Sequence, residues 1–180
     1  MTHISLLRGI NVAGQKKIRM ADLKALYISL GFCDVQTYIQ SGNVVFDSEL
    51  GVDEIVTLIE KDISKQYGFE VPVQVREVGV FEKLIVECPF TELDLVEEGT
   101  RVMVTFLSNL PSEANVAKLM TYVKEPERLV LHDRQIYLHC PNGYGKTKLS
   151  NTFIEKKLGV STTTRNWKSV VKLCELGGKL

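Results

Sequence analysis

A chain of 180 residues, 44% of them hydrophobic and with 22 basic side chains against 22 acidic ones, can bury a core without disulfide or metal staples. No apolar run is long enough to span a bilayer, and the Met1 start lacks a basic stretch followed by an apolar one, so a cytoplasmic protein without membrane contact is expected. The four cysteines, Cys33, Cys88, Cys140 and Cys174, form no C-x-x-C pair and no zinc spacing with His3, His132 or His139, so they read as reduced thiols, with no metal and no cofactor expected.

His3 to Arg8 is a β-branched and Leu-rich run that predicts a first strand, followed by the loop GINVAGQKK. Met20, Leu23, Leu26, Tyr27 and Leu30 recur at helical spacing, with Gly31 placed beyond the end. Val35 to Phe46, broken by Ser41-Gly42-Asn43, predicts a hairpin turning on Gly42-Asn43, with Ile39 opposite Phe46 and Gln40 opposite Val45. Its expected buried face is Val35, Thr37, Ile39, Val44 and Phe46. Asp53 to Tyr67 is a second helix with Ile55, Ile59 and Ile63 on one stripe and Gly68 after it. Val71 to Val78 follows as a strand, and Phe81 to Glu87 as a short helix ended by Pro89.

After an acidic loop carrying Glu92, Asp94, Glu97 and Glu98, the order repeats. Arg101 to Ser108 is a strand, and Pro111 suits the first turn of a helix running through Val123. Arg128 to Cys140 is a hairpin about Asp133-Arg134, with Leu129 opposite Leu138 and Leu131 opposite Ile136. Thr147 to Leu158 is a helix ended by Gly159, Val160 to Thr164 a strand, and Asn166 a cap for a last helix. The expected fold class is therefore α+β: two repeated β-α-β-β-α-β-α units, each a ferredoxin-like split β-α-β with an antiparallel sheet, in subdomains 1–92 and 99–180.

Charge is unevenly spread. Residues 41–100 carry 4 basic and 14 acidic side chains, and residues 141–180 carry 8 and 2, so the tail is suited to an anionic partner or to the acidic middle. The split topology puts the loop Gly143 to Lys148 at the same end of the second sheet as Arg165 to Trp167. In the first half it groups Arg8, Asn11 and Gln15 with Ser41, Gly42 and Asn43.

GYGKTK is not a nucleotide-triphosphate P-loop, since a glycine is required five residues before the Gly-Lys pair and Cys140 stands there. Two uses remain for Gly143, Gly145, Lys146 and Lys148: an anion cradle at a helix start, or a tight turn with solvated lysines. Arg165 and Asn166 likewise fit an anion site, or a salt bridge and a helix cap. His139 and Cys140 adjoin on one strand and so point to opposite faces, which argues against a catalytic dyad, and no catalytic residue is assigned.

The blocks LLRGINVAG, TYIQSGNVVF, GYGKTKLSN and TTTRNWKSVVKL together resemble the uncharacterised bacterial domain-of-unknown-function family 1697. The resemblance implies a shared site at these blocks without naming what it binds. A monomer that binds a small anionic or phosphate-bearing ligand is expected, with nucleic-acid binding through open sheet faces and the basic tail as the alternative.

Overall fold

The computed structural model describes residues 1–178. The described chain forms two compact units, Met1–Ile85 with residues 172–178, and Val86–Val171.

Unit 1 contains β1 (Thr2–Leu7), α1 (Met20–Ser29), β2 (Cys33–Tyr38), β3 (Asn43–Asp47), α2 (Val52–Tyr67), β4 (Val73–Glu77) and α3 (Val78–Val86). Its sheet has the order β2-β3-β1-β4 with every neighbour antiparallel. Ile55, Ile59 and Ile63, one per turn of α2, are fully buried, as are Leu23 and Tyr27 of α1. They pack with Leu7, Val44, Phe46, Val73 and Val75 of the sheet, each such apolar side chain contributing about 1.5–3 kcal/mol on burial. Gly68 ends α2 at φ +73°, donating from its N–H to the Ser64 carbonyl at 2.9 Å, the left-handed stop that a residue with a Cβ resists.

The first hairpin differs from expectation in register. Tyr38 pairs with Asn43, Thr37 with Val44 and Gln36 with Val45, so residues 39–42 form a four-residue turn. Ile39 lies in the left-handed region at φ +49° and is 49% exposed rather than buried. The slip is by four residues, an even number, so Val35, Val44 and Phe46 keep their place on the buried face.

Unit 2 contains β5 (Val102–Leu107), α4 (Glu113–Met120), β6 (Arg128–His132), β7 (Gln135–His139), α5 (Asn151–Leu158), β8 (Thr162–Asn166) and the start of α6 (Trp167–Leu176). Its sheet order is β6-β7-β5-β8, again antiparallel throughout. The β6–β7 hairpin has the expected register, with Leu129 opposite Leu138 and Leu131 opposite Ile136. Pro111 lies outside α4, because Ser112 is its N-cap and accepts from the Asn115 N–H at 3.2 Å.

The two sheets share one register. Ser5 of β1 faces Val44 and Val75, and Thr105 of β5 faces Ile136 and Thr164. In both units the last strand runs into a helix with no intervening residue, at Glu77-Val78 and at Asn166-Trp167. The sheet faces that look away from α1, α2, α4 and α5 are buried too: Ile4, Leu6 and Val45 in unit 1, and Val104, Phe106 and Tyr137 in unit 2. Among the described residues no helix is long and apolar enough to cross a membrane.

Candidate functional site

The loop after β1 and the tip of the first hairpin meet, as the topology requires. The Leu7 N–H donates to the Gly42 carbonyl at 2.8 Å, and Asn11 Nδ2 donates to the Gln40 carbonyl at 2.9 Å. Asn11 also donates to the Ile18 carbonyl and accepts from the Ile18 N–H through Oδ1, both at 2.9 Å. Both donors of that amide, and one lone pair of its oxygen, are thus spent on holding the loop. Asn43 is fully buried and donates to the Tyr38 carbonyl at 2.8 Å and the Ser41 hydroxyl at 3.0 Å, closing the turn. The Arg8 N–H is bonded to the Pro72 carbonyl.

Between Gly9 and Lys16 five residues have left-handed φ, and three of them, Asn11 (+55°), Ala13 (+48°) and Lys16 (+45°), are not glycine. For Ala13 and Lys16 this costs about 1–2 kcal/mol each. The loop borders a cleft of about 740 Å³ lined by Asn11, Lys17, Arg19, Gln40 and Tyr67 among others. Of the residues that the first-half topology groups, Asn11 lines it, and Arg8, Gln15, Ser41, Gly42 and Asn43 do not.

In unit 2 the glycine-rich segment does not lead straight into a helix. Gly143, at φ +94°, precedes a single 3-10 turn over Tyr144–Lys146. Helix α5 begins only at Asn151, capped by Ser150, whose hydroxyl accepts from the Phe153 N–H at 3.3 Å. Lys146 and Lys148 therefore stand ahead of the helix rather than on its first turn. They line a second cleft, of about 480 Å³, together with Tyr122, Lys124, Glu127 and Asn142. Gly143 and Gly145 shape the turn without lining that cleft.

A cationic cluster forms at this cleft. Lys148 Nζ lies 5.3 Å from the Tyr122 ring centroid and 5.8 Å from that of Phe153. Lys157 Nζ lies 4.5 Å from the Tyr122 centroid and donates to its hydroxyl at 3.1 Å. The Tyr122 and Phe153 rings meet edge to face at 5.1 Å, so the two ammonium groups share one aromatic pair. The hydrogen bond from Lys157, then its charge, and then that of Lys148 pull the Tyr122 phenol below its ordinary value. The residues that the sequence does not single out are Tyr122, Lys124 and Lys157. Nothing in their spacing links the end of α4 to the last turn of α5; tertiary packing brings them together.

Arg165 and Asn166 sit at the expected end of the sheet, since β5 pairs Val102 with His139 and Met103 with Asn166. Neither lines the lysine cleft. Arg165 is 8% exposed, donates from Nη1 to the Thr164 carbonyl at 2.9 Å, and has its pKa pulled down to about 10 by burial. Asn166 Oδ1 accepts from the Ser169 N–H at 2.9 Å, the geometry of an N-cap. In the acidic loop, Glu92 pairs with Arg128, and Glu98 bonds to His139 and to Arg101, each at 3.0 Å.

Residues 1–137 match the family described as Protein of unknown function (DUF1697). The chain belongs to the DUF1697 family. The match spans the N-terminal cleft and ends before Asn142, Lys146, Lys148 and Arg165. A comparison with curated proteins gives no match to this DUF1697 chain. Among solved structures it is similar to the conserved bacterial protein SP0830 from Streptococcus pneumoniae, at 24% identity, a TM-score of 0.79 and 98% coverage of both chains. That likeness extends the shared fold across both units.

Proposed function

We propose that this DUF1697 protein is a cytoplasmic, monomeric binder of a small phosphate-bearing anion, held in the unit 2 cleft by Lys146, Lys148 and Lys124. The observation that carries the reading is the concentration of cations there: three lysines line one cleft of predominantly polar surface, and a fourth, Lys157, is bonded to its Tyr122 wall. Ammonium groups that line one cleft repel one another, and an anion between them converts that repulsion into attraction. Asn142, also on the lining, supplies an amide for the neutral part of the ligand. Glu125 and Glu127 border the same cleft and limit the net charge it accepts, which favours one phosphate group over a polyphosphate. The matching registers of the two sheets further support reading the chain as an internal duplication in which only the second copy acquired this lysine cluster.

The test is calorimetry and thermal shift with inorganic phosphate and a panel of sugar phosphates at low ionic strength. Binding that raises Tm and weakens at least tenfold in Lys146→Met and Lys148→Met is the expected result. A wild-type protein that responds to no member of the panel would refute the proposal.

A further inference from the structure

The larger cleft, in unit 1, has a different chemistry from the lysine cleft. Its cations are two. Lys17 makes no hydrogen bond or ion pair among the described residues, and Arg19 uses Nε and Nη2 on Asp22, at 2.7 and 3.2 Å, which leaves Nη1 as a donor. Its apolar wall is Met20 and the Tyr67 ring, the latter braced by Phe69 at a centroid distance of 5.7 Å. Gln40 adds a side-chain amide that has no hydrogen bond among the described residues. At about 740 Å³ the cleft falls in the range of small-molecule sites.

The bordering loop is also pre-organised. Its left-handed residues are held by Asn11, whose side chain bonds twice to Ile18 at the far end of the loop and once to the neighbouring hairpin. Strained, over-determined backbone of this kind concentrates at ligand sites, and a rigid loop lowers the ordering cost of binding. One aromatic wall, two cations lining the same cleft and one amide match a flat ring that bears a single anionic group.

We infer that the unit 1 cleft is a second binding site, for a nucleoside monophosphate: the ring lies against Tyr67 and Met20, its polar edge meets the Gln40 amide, and the phosphate is held by Lys17 and Arg19. The presence of Asp22 beside Arg19 selects against ligands with several phosphates. This site is independent of the lysine cleft, since no residue lines both.

Isothermal calorimetry and amide NMR shifts with adenosine monophosphate, adenosine and inorganic phosphate test it. Adenosine monophosphate is expected to shift Lys17, Gln40 and Tyr67, to bind at least tenfold more tightly than adenosine, and to lose tenfold or more in Lys17→Met and Gln40→Ala. Lys17 is without partners among the described residues and Gln40 is exposed, so both variants should keep the wild-type Tm. Lys148→Met should leave this binding intact, which separates the two sites. Absence of binding, unchanged affinity in Lys17→Met, or shifts confined to residues 142–148 would each overturn the assignment.

Discussion

Arg76 and Arg165 occupy the same position in the two units. Each lies one residue before the end of the strand that feeds a helix, paired with Ile4 and Val104 respectively. Each also donates from Nη1 to the carbonyl of the residue before it, Val75 or Thr164, at 2.9 Å. Both are more than nine-tenths buried. An arrangement that recurs in the unit without the lysine cluster points to a part in the fold. Arg165→Ala is accordingly expected to lower stability by about 3 kcal/mol, the cost of emptying a buried long side chain, and to leave phosphate affinity unchanged. Urea denaturation with calorimetry on the same variant checks both halves; lost affinity at full stability would return Arg165 to the site.

Gly42 is a tight backbone approach in unit 1. At φ +84° a Cβ there would stand 2.6 Å from Ile10 Cδ1 and 2.8 Å from Leu7 Cβ. Both the left-handed backbone and the packing oppose any side chain, and each effect costs about 1 kcal/mol or more. Gly42→Ala should therefore lose roughly 2–3 kcal/mol, read as a lower urea midpoint at constant m-value. At Gly143 a Cβ would meet no atom within 4 Å, but its backbone, at φ +94° and ψ +143°, lies near the extended positive-φ region that is essentially glycine-only, so Gly143→Ala should lose about 1–3 kcal/mol through backbone strain alone.

Asn166 offers a cap test in unit 2. Its Oδ1 accepts from the Ser169 N–H at 2.9 Å, and removing such a cap costs about 1 kcal/mol. Asn166→Ala should show that loss in thermal melts, and Asn166→Asp should largely restore it, because a carboxylate accepts the same bond and also suits a helix start. A variant that melts like wild type yet binds phosphate poorly would assign Asn166 to the ligand instead.

Elements whose pattern is periodic are legible in the sequence. Ile55, Ile59 and Ile63 announce α2 and Gly68 its end, and the aliphatic pairs Leu129/Leu138 and Leu131/Ile136 set the register of the second hairpin. The register of the first hairpin is not legible in this way, because its turn places Ile39 at φ +49°, a conformation that a β-branched residue almost never signals. The faces survive because the slip is even. At the lysine cleft, Lys146 and Lys148 are visible as a motif, but Tyr122 and Lys157 are 35 residues apart and meet only through packing around α5. Asn11, Asn43 and Asn166 are visible as polar residues near turns, yet their bonds go mainly to backbone, a use that residue type alone does not separate from ligand binding.

Acid should destabilise the protein in two stages. His3 is buried against Phe46, with ring centroids 5.7 Å apart, and its Nδ1 has no hydrogen-bond partner among the described residues. Burial holds its pKa below the ordinary 6.5 despite the opposing pull of Met1, Glu77 and Asp47. The unfolded chain thus takes up this proton first, so the stability His3 contributes is complete above pH 6.5 and is lost as pH falls through its folded pKa. Glu98 acts lower: its bond from His139, then that from Arg101, holds its carboxyl below the ordinary 4.5. Its contribution is present above pH 4.5 and is lost as pH falls through the folded value. Urea midpoints measured from pH 8 to pH 3 should fall in two steps. His3→Phe should flatten the upper one and Glu98→Gln the lower; a His3→Phe profile that keeps the full upper step would show that another group titrates there.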